Sequence, residues 1–231
     1  MLDEIHWLPY LSFWSSAIIL DQGLPKIKSL QKYKYYQTEI INQVSKKSVF
    51  ISVLLQNIII WLLSYLARRP DTTQDSFKKS IGKLLLFIFI DETYSYWYHY
   101  YLHKSVFLYK YLHKYHHKMI EPNTYGSQYS TALDVIFGVF FPSILAKGIS
   151  KLSDNWTARL LAIRAIKTNY DHCGYILPFP LDPFNNFLFM NKSQYHHIHH
   201  AVKGRNCNFS GGFTNLWDRI VGTYVAKIEK P

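Results

Sequence analysis

The chain has 231 residues, 48% of them hydrophobic and 17% aromatic, and a formal net charge of +11. That is enough apolar material for a sizeable core, and it excludes a disordered or collagen-like chain. Two cysteines, Cys173 and Cys207, exclude a disulfide framework and a four-thiolate zinc site. Mean hydropathy is −0.09, an average over segments of very different character.

In chain order, the first apolar segment is Trp7–Leu20, 14 residues suited to an interfacial helix or a tilted span. Asp3 and Glu4 and the lack of a basic leader argue against a cleaved signal, and His6 reads as an ordinary interfacial residue. Ser48–Ala67 follows, 20 residues without a charge, bracketed by Lys46-Lys47 and Arg68-Arg69. At about 1.5 Å per residue it can cross a hydrocarbon core of roughly 30 Å. Leu84–Leu102 is apolar and aromatic but carries Asp91 and Glu92, which at that depth must face other helices or a polar cavity. Ala132–Ala146 and Trp156–Ile166 are each short for an independent crossing. Joined by Lys147–Asn155, they read as a helical hairpin that enters the membrane and returns to the same side.

The competing reading is that these stretches are buried helices of a soluble α-protein. The charge-free length of Ser48–Ala67 and the interfacial type of the Trp and Tyr residues favour a membrane. The predicted architecture is all-α, with about four membrane-embedded helices. It forms one domain, with membrane and interfacial helices in residues 1–83 and a histidine-bearing core in 84–231. If residues 21–47, 104–118 and 167–231 share one side, that side holds 17 Lys/Arg, against seven in 68–83 and 147–151. The positive-inside rule makes the richer side cytosolic. The net charge is then mainly sidedness and attraction to anionic lipid. No nucleic-acid-binding motif is present.

Ten of the eleven histidines lie between His99 and His200, on segments assigned to the cytosolic side or its membrane boundary. His99 and His103 are four apart and share a helix face. His113, His116 and His117 form His-x-x-His-His, and His196, His199 and His200 repeat that pattern. His172 stands alone in Asp171-His172-Cys173-Gly174. Imidazole suits iron, copper and zinc, and nine such nitrogens exceed what one metal takes, so two metals are implied. His197 is ambiguous, because it stands three residues before His200. Redox-active metal at a membrane boundary suggests dioxygen chemistry on a lipid, with electrons supplied from outside and water kept from the oxidant.

Three histidine motifs, His99-x-x-x-His103, His113-x-x-His116-His117 and His196-x-x-His199-His200, resemble those of the fatty acid hydroxylase/sterol desaturase superfamily. Phe107-Leu108-Tyr109-Lys110, Asp171-His172-Cys173-Gly174-Tyr175, Leu181-Asp182-Pro183-Phe184, Asn208-Phe209, Trp217-Asp218 and Gly222-Thr223-Tyr224 are similar to its sphinganine 4-hydroxylase branch. The resemblance runs from about Phe89 to Tyr224. It implies a di-iron enzyme of the endoplasmic reticulum membrane, multi-pass, with its metal site facing the cytosol. Such an enzyme hydroxylates carbon 4 of sphinganine or dihydroceramide, with electrons from NAD(P)H through cytochrome b5 and its reductase. The ligands carried over are His99, His103, His113, His116, His117, His172, His196, His199 and His200, holding two iron ions that zinc can replace in a purified sample.

Tyr100 stands where the family usually has Arg, His197 where it usually has Asp, and Gly211-Gly212 where Gln-Pro is usual. Tyr100, His197, Asp91 and Asp171 are the candidates for supporting the ligands from behind, with helix pairing as the other role for Asp91 and loop capping for Asp171. Two further readings keep the histidine set. One is a sterol 4-methyl oxidase or sterol desaturase. The other is a non-catalytic membrane scaffold or complex subunit.

Overall fold

Each long apolar segment forms a helix. The computed structural model describes residues 7–34, 44–66, 75–119, 124–184, 189–201 and 206–227, so His6 lies outside the described residues. Helix α1 spans Leu8–Ile18, with Pro9 in its first turn, where a missing N–H costs nothing. Helix α2 is Lys46–Leu66, and α3 is Phe77–Lys104, started by the Ser76 hydroxyl. Helix α4 is Ala132–Ser150, containing a π-helical turn at Ile136–Phe140 and ending at Lys151 with φ of 56°. Helix α5 is Asp154–His172, capped by Ser153. Two short helices follow, α6 at Ser193–His200 and α7 at Leu216–Val221. Among the described residues there is no strand, only the isolated bridges Lys34–Tyr175 and Met190–Thr214.

The helices are polar inside and apolar outside. In α2 the buried side chains include Gln56 and Asn57, while Leu55, Ile58, Leu62 and Leu66 are exposed. Gln56 donates to the Ser130 carbonyl at 2.6 Å, and Asn57 to Gln128 at 2.8 Å. In α3, Asp91, Glu92 and Ser95 are buried while Leu85, Leu86 and Phe89 are exposed. In α4, Asp134 is buried while Leu133, Phe137, Val139 and Ile144 are exposed. In water this arrangement would waste the hydrophobic effect; in lipid it is the favourable one.

Among the described residues, α2 and α4 are long and apolar enough to cross a membrane, and only 22% of each span is buried within the fold. The expected Ala132–Ala146 segment was too short. The helix continues to Ser150 because Lys147 does not end it, being ion-paired with Asp154 across the turn. Likewise Trp156–Ile166 is the middle of the longer α5. Helix α3, at 28 residues, is longer still but carries charges.

Aromatic and polar ties fix how the helices run. Trp7 stacks on Trp61 at 4.8 Å and Trp14 meets Phe50 at 5.3 Å, so α1 and α2 are antiparallel. Asn169 of α5 donates to the Phe13 carbonyl at 2.8 Å. Phe87, Ala146, Leu152 and Leu160 pack together at the end away from the histidines, where Phe77 also meets Trp156 at 6.2 Å. The C-terminus of α3, the N-terminus of α4 and the C-terminus of α5 therefore meet at the opposite end. Leu177 is buried with Leu20, Leu24 and Tyr175.

Candidate metal centre

The nine expected ligands converge there in two groups. His99, His103, His113, His117 and His199 form one, and His116, His172, His196 and His200 the other. Within each group the candidate ligand nitrogens lie within 4.8 Å of one another. His99 and His103 come from the last turns of α3, His172 from the end of α5, and the last three from α6.

Ring orientation is set from behind. The Nδ1 of His99 faces the Phe209 carbonyl at 2.7 Å and that of His199 the Cys207 carbonyl at 2.7 Å. The Nδ1 of His172 faces the Thr168 carbonyl at 2.8 Å, and that of His116 the Tyr129 carbonyl at 3.3 Å. A carbonyl only accepts, so each of these Nδ1 atoms carries the proton and each Nε2 presents a lone pair. His113 does the same through Asp134, at 2.9 Å.

The Nε2 atoms then face each other: His99 with His113 at 2.9 Å, His103 with His117 at 3.1 Å, and His172 with His196 at 2.8 Å. His200 and His196 face at 3.0 Å, and the buried Nε2 of His199 has no hydrogen-bond partner. For His99 and His113, whose Nδ1 atoms both hold the proton, these are two lone pairs held close and out of water, mutually repulsive unless a cation lies between them. The donor set therefore fits imidazole-ligated metal, one ion per group. Burial, and then neighbouring imidazoles, hold His116, His117, His196 and His200 far below the usual histidine range. His199 is lowered in the same way. These rings are neutral at physiological pH, as ligation requires.

The four other candidates fall differently. Asp91 pairs with Arg164 and accepts from Ser143 at 3.4 Å, so its partners are on neighbouring helices. Asp171 accepts twice from Lys167, at 2.6 Å each. Tyr100 packs on Phe209 at 5.3 Å, under the Lys104 ammonium. His197 is fully buried and belongs to neither group; burial pushes its pKa down to about 3.

Asp134 was not anticipated. It accepts from His113, from the Ser130 hydroxyl and from Tyr98 at 2.9 Å. Its one signal in the sequence is that it is the sole charge in the Ala132–Ala146 run. The backbone carbonyls behind the other imidazoles have no such signal.

A cavity of about 330 Å³ begins at His99, His113, His116, His172 and His196 and reaches Lys147 and Asp154 at the far end. Phe13, Leu102, Val135, Val139, Ile144 and Leu161 line it between. Along α5, from His172 to Asp154, that is roughly 27 Å at about 1.5 Å per residue. Asn57, Gln128, Ser143 and Arg164 line it as well, so the cavity is largely but not wholly apolar.

The fatty acid hydroxylase family model matches residues 84–223. The chain is 32% identical to a sphinganine C4-monooxygenase of Arabidopsis thaliana, over 95% of this chain and 86% of that protein. It is 27% identical to a sphingolipid C4-hydroxylase of Saccharomyces cerevisiae, covering 96% and 71%. A very-long-chain aldehyde decarbonylase of Oryza sativa is also 27% identical, over 86% and 79%. No solved structure matches. With all three histidine motifs inside the matched region and their side chains gathered at one end of the bundle, the chain belongs to the fatty acid hydroxylase family.

Proposed function

We propose that the protein is a membrane-embedded monooxygenase that hydroxylates carbon 4 of sphinganine or dihydroceramide. One observation carries the reading: two groups of imidazoles stand at one end of a largely apolar cavity, inside helices whose aliphatic faces point outward. The relatives support the lipid class.

His99, His103, His113, His117 and His199 would hold one iron ion, and His116, His172, His196 and His200 the other. Iron held there supplies the one-electron chemistry by which dioxygen becomes an oxidant for an unactivated C–H bond. The overall reaction consumes dioxygen, two electrons and two protons, leaving an alcohol and water. The chain's own work is positional. Asp134 and the carbonyls of Phe209, Cys207, Thr168 and Tyr129 fix the ligand tautomers. The largely apolar cavity would hold the alkyl chain and limit water.

The same reading places the protein in the endoplasmic reticulum membrane, as a single domain. Its α1–α5 bundle is embedded in lipid, and the histidine end faces the cytosol. There the lysine-rich Lys104–Lys118 segment would meet cytochrome b5, reduced by its reductase from NAD(P)H. Expression in a host lacking its own 4-hydroxylase, followed by mass spectrometry of long-chain bases, tests the assignment. The expected result is 4-hydroxysphinganine that disappears with His199→Ala. Altered sterols with unchanged long-chain bases would replace it with the sterol reading. No lipid change in the presence of iron and reductant would favour a scaffold.

A further inference from the structure

We infer that Asp218 is a positioning residue for one metal of the pair and not the other, acting through the backbone of Cys207–Ser210. The inference rests on the dimetal reading above. Two of the five imidazoles of the first group, His99 and His199, take their orientation from the carbonyls of Phe209 and Cys207, at 2.7 Å each. In the second group His116 and His172 rest elsewhere, on the carbonyls of Tyr129 and Thr168.

The strap has no helix or sheet to hold it, and Asn208 sits at φ of 58°, a conformation costly for a non-glycine residue. It is held by one backbone hydrogen bond, from the Asn208 amide to the Thr223 carbonyl at 3.0 Å, and otherwise by side chains. Asp218, fully buried at the start of α7, accepts from the Phe209 amide at 2.8 Å and the Ser210 amide at 2.9 Å. The Thr223 hydroxyl donates to the same carboxylate at 2.7 Å, and the Tyr195 hydroxyl does so as well. Asn208 ties the other edge, donating to the Tyr195 and Val225 carbonyls at 2.9 Å and accepting from the Val225 amide at 2.7 Å.

The Phe209–Ser210 peptide therefore links a buried carboxylate, which accepts from its Ser210 N–H, to His99, which faces its Phe209 C=O. Charge on Asp218 polarises that peptide and makes its carbonyl a better acceptor, which favours the Nδ1–H tautomer of His99. The Asn-Phe, Trp-Asp and Gly-Thr-Tyr blocks of the sequence, which carry no ligand, thus acquire a common role.

Cobalt(II) titration of the purified full-length protein in lipid nanodiscs, read by visible absorption and metal analysis, tests this. Wild type is expected to bind two ions per chain. Asp218→Asn should keep one site at wild-type affinity and weaken the other about 10- to 100-fold, the usual cost of losing a group behind a ligand. Thr223→Val, a milder change to the same carboxylate, should weaken that one site several-fold and serves if Asp218→Asn does not fold. Two unchanged sites in both variants, or equal weakening of both sites, would overturn the inference. Failure of wild type to bind two ions would instead overturn the dimetal reading.

Discussion

The Nδ1 of His113 lies 2.9 Å from a carboxylate oxygen of Asp134, and Asp134 is the only carboxylate hydrogen-bonded to a site imidazole among the described residues. The Ser130 hydroxyl and Tyr98 hydroxyl occupy two more lone pairs of that carboxylate. Asp134→Asn offers His113 an amide that can donate, which permits the Nε2–H tautomer and removes a ligand lone pair. The expected result is a roughly 10- to 100-fold loss of metal affinity or turnover with the helix content retained. Metal analysis and product formation check it, and unchanged values would count against the role.

The buried pair Asp91–Arg164 joins α3 to α5, with side-chain exposures of 6% and 15%. Removing one partner strands a charge, so Arg164→Met alone should cost about 3–5 kcal/mol. Replacing both, with Asp91→Leu and Arg164→Met, should recover most of that. Thermal unfolding in detergent reads the difference. Equal losses in the single and double variants would contradict the account.

Gly212 lies against Glu92, whose carboxylate accepts from the Phe213 amide and, at 3.1 and 2.7 Å, from the amide and hydroxyl of Thr214. A Cβ at position 212 would run into Glu92 Oε1, which is not free to swing away. Gly212→Ala should therefore destabilise the C-terminal loop by about 1–3 kcal/mol. Gly211→Ala, with open space around its Cβ, should be nearly silent. Hydrogen exchange across residues 209–215 separates the two.

Acid should release the metals and loosen the histidine end. The site rings of α6 and the His116-His117 pair have pKa values below the usual 6.5 because they are buried. As pH falls below about 6.5 the unfolded chain takes up protons that the folded chain refuses, so stability declines with falling pH. Metal affinity falls in the same direction, since protons compete for the ligands. Melting temperature and bound metal measured from pH 7.5 downward should drop together near pH 6. A flat profile through that range would oppose the account.

Periodicity made the histidine clusters legible, because steps of three and four place imidazoles on one face. It did not show how they divide. His116 and His117 are adjacent in sequence yet belong to different groups, as are His199 and His200. Neighbours on a helical turn point about 100–120° apart, so adjacent histidines face different groups, and only the packing of the helices decides which. Ser48–Ala67 was readable as a span because it is free of charge. The full length of α4 was hidden, since Lys147 looks like an end until Asp154 is seen to neutralise it. Asp134, a single carboxylate 21 residues from the ring it orients, has no spacing signature at all.

The most direct test of a lipid monooxygenase is to follow the inserted oxygen. Purified protein loaded with iron and given a reducing system, sphinganine and isotope-labelled dioxygen should form a 4-hydroxylated base carrying one labelled oxygen, and His196→Ala should form none. Hydroxylated product whose oxygen comes from water, or no product from fully iron-loaded protein, would contradict it.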